Sequence, residues 1–293
     1  MATAGQRPKL VVIVGPTASG KSGLALRVAQ EFSGEIIAAD SRTVYKDMDI
    51  GTAKPTKADQ KLVPHWGLNL VESGQRFTAA KFKTYAEAAI KDIQNRGKLP
   101  VLVGGTGLYI DGVIFAFGFR PDADLLRRQQ LETMSVEALQ ETIRQMGLSM
   151  PVNFKNKRHL IRTIETKGQA GSRRQRLSEG VILIGILPPD DILKKRISQR
   201  AERFFAGGIL TESQQLLNKY GEEALEATGG IVYKICLEVL AGKITEAGAI
   251  KKFKKADWQY ARRQKTWFKR NKFIHWFGSA EQAYGYIKRQ LNT

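Results

Sequence analysis

Cysteine is nearly absent from this chain. One thiol, Cys236, in 293 residues excludes an internal disulfide and a cysteine-built zinc cluster. Flanked by Ile235 and Leu237, it is expected in the core. Long apolar runs are absent too. No stretch approaches the ~18 residues a membrane helix needs, and no charged-then-apolar leader precedes the first strand. The expectation is a cytoplasmic protein with no membrane contact. Acidic residues are scarce: 28 Asp and Glu stand against 47 Lys and Arg, a formal charge of +19. That surplus suits a polyanionic partner. No internal repeat or low-complexity run is present. The length fits one large domain, or one domain carrying an insertion, and 42% apolar content is ample for a core.

What organises the chain is Gly15-Pro16-Thr17-Ala18-Ser19-Gly20-Lys21-Ser22. An apolar run, Leu10 to Val14, precedes it. A helical pattern with Leu24, Ala25, Val28 and Ala29 on one face follows. Strand, glycine loop and helix are the context that the phosphate-loop pattern G-x-x-x-x-G-K-[ST] requires. The glycines let successive backbone N–H groups turn toward an anion, and the helix N-terminus adds partial positive charge. Lys21 supplies a full charge, and Ser22 can reach a Mg²⁺ ion.

Further on, Glu35 to Ala39 reads as a buried parallel strand ending on Asp40-Ser41-Arg42. Ligands of open parallel sheets bind off the C-terminal strand ends, so Asp40 is expected near the phosphate loop. Residues 41–77, including Pro64-His65-Trp66-Gly67, read as a long functional loop. Thr78 should cap a helix reaching about Asn95, with Phe82, Tyr85, Ala89 and Ile93 inward. Leu99 to Val103 gives another buried strand, closed by Gly104-Gly105-Thr106-Gly107. Thr106 is expected to point its hydroxyl into the crevice. An NTP-hydrolysing enzyme would carry a Mg²⁺-holding Asp at such a strand end. Here the place is taken by glycine and threonine, and Asp40 is the carboxylate left to act.

From about Phe117 the pattern becomes helical, with helices near 122–133, 135–146 and Asn156–Lys167. Between Asn153 and Arg176 lie eight basic residues, Arg173 and Arg174 among them, and one acid, Glu165. This reads as a helical insertion whose basic face meets a phosphate backbone. The sheet resumes at Val181–Leu187. A basic helix follows from about Asp190 to Phe205, and the next helix is expected to be capped by Thr211. Helices near 231–240 and from about Thr245 to Arg270 come next, then an edge strand at Phe273–Phe277. The penultimate segment has ten basic residues between Lys251 and Lys272 and one acid, Asp257, with Trp258, Tyr260, Trp267 and Phe268 interleaved. Core packing is the expectation for at least half of these aromatics. The fold class is therefore α/β: a phosphate-loop NTPase-like parallel sheet flanked by helices. Residues 1–117 and 180–293 form its core, and residues 118–179 an all-helical insertion.

Taken in order, these segments resemble the tRNA dimethylallyltransferase (tRNA isopentenyltransferase) family. The phosphate loop in this form, Ala39-Asp40-Ser41-Arg42 with Val44-Tyr45-Lys46, and Asp49-Ile50-Gly51-Thr52-Ala53-Lys54-Pro55 carry the resemblance. So do Val103 to Ile110 and Gln264-Lys265-Thr266-Trp267-Phe268. The resemblance implies transfer of a dimethylallyl group from dimethylallyl diphosphate to N6 of the adenosine just 3′ of the anticodon, in tRNAs reading codons that begin with U. It implies that Gly15, Pro16, Thr17, Ala18, Ser19, Gly20, Lys21 and Ser22 hold diphosphate rather than ATP, with Mg²⁺ on Ser22. Asp40 becomes the base for the N6 proton, Thr106 helps to place the adenine, and Arg200 assists at the diphosphate. Ser41, Arg42 and Thr43 would contact the target nucleotide. Arg158, His159, Leu160, Ile161 and Arg162, with Arg128 of the Arg127–Arg128 pair, would grip the anticodon stem-loop. A monomer is expected.

Four positions depart from the family pattern: Thr43 in place of Gln, Trp66 in place of the second His of Pro-His-His, Gly229-Gly230-Ile231-Val232-Tyr233-Lys234 for Ile-Gly-Tyr-Lys, and Ser22 for Thr. These bear on RNA selectivity more than on chemistry. The competing readings are a small-molecule kinase using ATP, an enzyme prenylating free adenine nucleotides, and a non-catalytic RNA-binding module.

Overall fold

The computed structural model describes residues 10–119, 124–169, 172, 176, 177 and 179–292. The expected loose tail at 1–8 and the basic Arg173 and Arg174 lie outside the described residues. The chain divides into two units. One holds the residues up to Ile114 and those from Arg176 onward, and the other is Phe115–Gln175.

The first unit begins β1 (Leu10–Val14), α1 (Lys21–Glu31), β2 (Gly34–Ala38), α2 (Lys57–Leu62), β3 (His65–Trp66), α3 (Ala79–Asn95), β4 (Leu99–Gly104) and α4 (Gly107–Ile114). The second unit holds α5 (Leu125–Thr133), α6 (Val136–Gln145) and α7 (Lys157–Glu165). The first unit then resumes with β5 (Val181–Ile186), α8 (Asp190–Ala206), α9 (Ile209–Tyr220), α10 (Glu222–Thr228) and α11 (Gly230–Leu240). It closes with α12 (Glu246–Lys269), β6 (His275–Phe277) and α13 (Ala280–Asn292).

Six strands form one sheet in the order β3-β2-β4-β1-β5-β6, every pair parallel. All five residues of β1 are buried, as a strand covered on both faces demands. On one face α1 packs Leu24, Ala25, Val28 and Ala29, the residues its spacing predicts, and α13 adds Ala283, Tyr284 and Ile287. A second cluster joins Val44, Tyr45 and Met48 to α8, α9, α11 and α12. Cys236 lies in it, buried as expected. No helix among the described residues is long and apolar enough to cross a membrane.

Several expectations change. Residues 64–67 are not a loop: His65 and Trp66 pair with Ile36 and Ile37 as the edge strand β3. The Trp66 indole donates to the buried Glu35, whose carboxylate also accepts from Arg96 and Lys98. Those bonds, Arg96 foremost, hold Glu35 down at a pKa of about 2. The Trp66 departure thus anchors a sheet edge. Gly208, in the left-handed region at φ 91°, starts α9, so Thr211 lies inside that helix instead of capping it. Tyr85 is half-buried, and its hydroxyl accepts from Gly67 N–H while Ala86 takes its place on the inner face of α3.

In the second unit Leu131, Leu139, Ile143, Leu160, Ile161 and Ile164 form a core. The 3.6-residue period of α7 therefore sets Leu160 and Ile161 inward and leaves Arg158, His159 and Arg162 exposed. Contact of the Leu160 and Ile161 side chains with RNA is corrected accordingly. Arg128 is tied to Glu132 and Glu165 and holds α5 to α7.

Candidate active site

Three strand ends meet at one edge of the sheet. Val14 of β1 is in register with Gly104 of β4, and Val103 with Ala38 of β2. The chain segments leaving these strands are therefore neighbours: the phosphate loop, Ala39-Asp40-Ser41 and Gly105-Thr106-Gly107. Ala39 N–H donates to Val103 O at 2.7 Å, and Thr106 N–H to Ala39 O at 3.3 Å. Any side chain on Gly104 would collide with the Ala39 carbonyl, so glycine is what allows the two ends to close.

Within the loop, Ala18 (φ 60°) and Gly20 (φ 98°) take left-handed backbone and curl the chain onto the start of α1. Lys21 Nζ donates to Pro16 O at 3.2 Å, across the loop. Burial pulls the Lys21 ammonium down to a pKa of about 8, opposed by the Asp40 carboxylate. Ser19 is buried and its hydroxyl has no partner, and the same holds for Nε of Arg200. Buried polar atoms left open at a glycine loop are what the oxygens of a bound anion would satisfy.

Arg200 does reach the loop. From α8 its Nη1 donates to Thr17 Oγ1 and lies 3.3 Å from Asp257 Oδ2 on α12. Burial raises the Asp257 pKa, and the Arg200 and Lys21 charges offset part of the rise. Next to Arg200 on α8, Arg196 donates to Ser19 O at 3.1 Å. Gln264 of α12 accepts from Thr17 N–H at 2.8 Å and donates to Gly105 O at 3.0 Å. Trp267, one turn further, covers Gly107 and donates to Asp111 Oδ2 at 2.8 Å. Of the four aromatics of α12 singled out, Phe268 is fully buried, Trp267 serves packing, and Tyr260 faces the cavity.

Asp40 closes the opposite wall. Its Oδ1 accepts from Arg42 N–H at 2.8 Å, an Asx-type turn that fixes the carboxylate. Thr106 Oγ1 accepts from Ser41 N–H at 3.0 Å, so its hydroxyl steadies the Asp40 segment. Arg42 Nη1 donates to Thr228 O, and Thr43 is buried beneath. Beside these groups lies a cavity of about 650 Å³ that holds Lys21, Ser22, Asp40, Arg200, Asp257 and Tyr260 on its walls.

Two buried acids have places at the site that the sequence did not show. Asp257, noted there as the one acid of a basic segment, is the first. The other is Glu212 of α9, which accepts N–H bonds from Asp49, Ile50 and Gly51 and the Tyr233 hydroxyl. It pins the loop whose Gly51, Thr52, Ala53 and Pro55 wall the cavity. A Cβ on Gly51 would sit 2.6 Å from the Tyr233 ring. The only hint in the sequence was an acid on an otherwise inward helix face.

A model of the IPP transferase family matches residues 43–271, and one of isopentenyl transferase matches residues 8–66. The tRNA dimethylallyltransferase of Staphylococcus epidermidis is 35% identical over 305 residues, 98% of this chain and 92% of that protein. The one from Thermoanaerobacter sp. is 39% identical over 288 residues, 92% and 91%. Among solved structures, the full-length tRNA isopentenylpyrophosphate transferase of Bacillus halodurans superposes with a TM-score of 0.72 at 30% identity, covering 98% of this chain and 97% of that one. A eukaryotic dimethylallyltransferase acting on tRNA gives a TM-score of 0.73 at 26% identity over 88% and 69%. With the family model spanning most of its length and relatives matched nearly end to end, this chain belongs to the IPP transferase family.

Proposed function

We propose that the chain transfers a dimethylallyl group from dimethylallyl diphosphate to N6 of the adenosine 3′-adjacent to the anticodon, in tRNAs reading codons that begin with U. The observation that carries this is the facing of Asp40 and the phosphate loop across one cavity, with glycine where a hydrolase would hold its second carboxylate. The ATP-dependent kinase reading has no support from the comparisons, whose named relatives are transferases acting on tRNA.

The residues divide the work by charge. Backbone N–H groups at the start of α1, Lys21 and Arg200 face the diphosphate, where negative charge grows as the C1–O bond breaks. N6 of the adenine forms the new bond to C1 and gives its proton to Asp40. Diphosphate leaves with the bond's electron pair. Asp40 is held for this by Arg42 N–H, and its segment by Thr106. The adenine has to leave its stack to reach a carboxylate inside the cavity.

The donors present fit Mg²⁺. The Ser22 hydroxyl lines the cavity beside the open polar atoms of the loop, and oxygen ligands with retained waters are what this ion takes. Bound there, it would neutralise charge on the diphosphate. Arg158, His159 and Arg162 offer exposed donors to an anticodon stem-loop's phosphates, and Lys155 and Lys157 flank them.

The test is a transfer assay with labelled dimethylallyl diphosphate, Mg²⁺ and unmodified tRNA, run beside an ATP arm. Label at the adenosine 3′ of the anticodon is the expected result. ATP consumption without labelled RNA would overturn the reading.

A further inference from the structure

The Gln264-Lys265-Thr266-Trp267-Phe268 segment has no role in the chemistry above, yet it carries one of the few buried polar side chains in the unit. The Gln264 carboxamide is engaged at both its oxygen and its nitrogen. Its oxygen accepts the N–H of Thr17 in the phosphate loop, and its nitrogen donates an N–H bond to the Gly105 carbonyl. The two partners lie 247 and 159 residues away in sequence. Gly105 must be glycine for this: a Cβ there would occupy the place of the Gln264 nitrogen.

The connection does not end at Gly105. The next residue, Thr106, accepts the N–H of Ser41, and Asp40 precedes Ser41. A continuous line therefore runs from the phosphate loop through Gln264, Gly105, Thr106 and Ser41 to Asp40. Its ends are the two places that the reaction must hold in register, the leaving-group cradle and the proton acceptor. On the near side, Thr17 also receives Arg200 through its hydroxyl, so the residue braced by Gln264 is the one that seats the arginine.

We infer that Gln264 is a positioning residue: its carboxamide locks the phosphate loop to the Thr106 turn and so sets the separation of diphosphate and base. The inference rests on the transferase reading of the same cavity. Neither an acid nor an apolar residue can do this work. A carboxylate accepts from Thr17 but repels the Gly105 carbonyl, and a thioether serves neither end. Lateral slip of about 1 Å between reacting groups is enough to cost about 100-fold in rate, without weakening either ligand's own contacts.

The test uses the full chain and three variants: Gln264→Met, which keeps volume, Thr106→Val, and the double variant. Steady-state transfer is measured with tRNA, and binding of inorganic pyrophosphate by calorimetry. Expected for Gln264→Met is a fall in kcat of at least about tenfold with pyrophosphate affinity within about threefold of the parent. The cycle separates a line from two independent supports. If the bonds act in series, the double variant loses about as much kcat as the worse single. If the losses multiply, or if Gln264→Met lowers only the melting temperature, the inference is overturned. Should Gln264→Met fail to fold, Gln264→Glu assayed at pH 8 takes its place, because it keeps the Thr17 bond. Parent-like kcat in that variant would equally overturn the role at Gly105. Absence of transfer by the parent chain would sink the transferase reading instead, and the calorimetric arm would show that the loop still binds pyrophosphate.

Discussion

Glu212 offers the sharpest test of how the cavity wall is held. Its Oε2 accepts Asp49 N–H at 3.0 Å and Ile50 N–H at 2.8 Å, while Oε1 accepts Gly51 N–H at 3.1 Å and the Tyr233 hydroxyl at 2.6 Å. All are donors, so the ligand they require is an acceptor at both oxygens. Burial and the neighbouring Glu212 charge raise the Tyr233 pKa, which keeps the phenol protonated and donating. Glu212→Gln keeps the volume but turns an NH₂ toward at least one backbone N–H and removes the charge that strengthens the rest. A bond to a charged group contributes about 1.5–3 kcal/mol, so losing one and weakening the others should cost about 3 kcal/mol. At about 2–4 °C per kcal/mol for a domain of this size class, Tm should drop by about 6–12 °C. Tyr233→Phe removes one of the carboxylate's four bonds and leaves the three N–H bonds in place, so its drop in Tm should be the smaller of the two. Differential scanning calorimetry and urea titration read both. Transfer at a temperature well below the new melt should also decline, because residues 51–55 wall the cavity. A Glu212→Gln melt within about 1 °C of the parent would refute the reasoning, since those three N–H groups would then not depend on the carboxylate that accepts them.

Asp40→Asn should abolish transfer while pyrophosphate binding survives, and residual transfer near the parent rate in a radiolabel assay would remove Asp40 as base. Lys21 gives a pH dependence of known sign: its ammonium binds diphosphate and its pKa is lowered to about 8, so pyrophosphate affinity should weaken as pH rises through about 8, read by calorimetry from pH 7 to 9.5, and Lys21→Met should flatten the curve. For the ligand-free fold the sign is opposite: a lowered Lys pKa means the unfolded chain holds more protons between about 8 and 10.5, so this group's penalty is full below pH 8 and eases above it. RNA affinity should fall steeply with salt, and Arg158→Ala with Arg162→Ala should reduce the slope of log K against log salt by about 1 for each phosphate left without its arginine, by filter binding.

The elements legible in the sequence were those whose cause is local. The phosphate loop needs only its own glycines, α1 announces itself by one-sided apolar spacing, and α3 and α12 open on the threonine caps Thr78 and Thr245. The buried strands β1, β4 and β5 are continuous apolar runs. The edge strand β3 has two residues, too few for any period, and it exists because Ile36 and Ile37 offer it a ladder. The helix α13 had the right spacing, Ala283, Tyr284 and Ile287, but its face makes sense only once α1 is present to receive it. Leu160 and Ile161 show the converse. They sit inside a basic segment, and the family resemblance carried the whole run 158–162 into RNA contact, a surface role that their own apolar spacing denies.

The same conflict decides α12, whose sequence reads as a basic helix. Its buried residues Ala249, Phe253, Asp257, Ala261, Gln264 and Phe268 recur every three or four positions, so they form one inner stripe. Two of the six are polar. A buried carboxylate and carboxamide are costly unless something answers them, and here the answer comes from α8, the phosphate loop and the second glycine turn. The lysines and arginines on the outer face account for composition and attract polyanions, but they could be exchanged among themselves without moving the loop. Asp257 and Gln264 could not. In a helix of this kind the charge census points to the partner, and the exceptions on the apolar stripe point to the site.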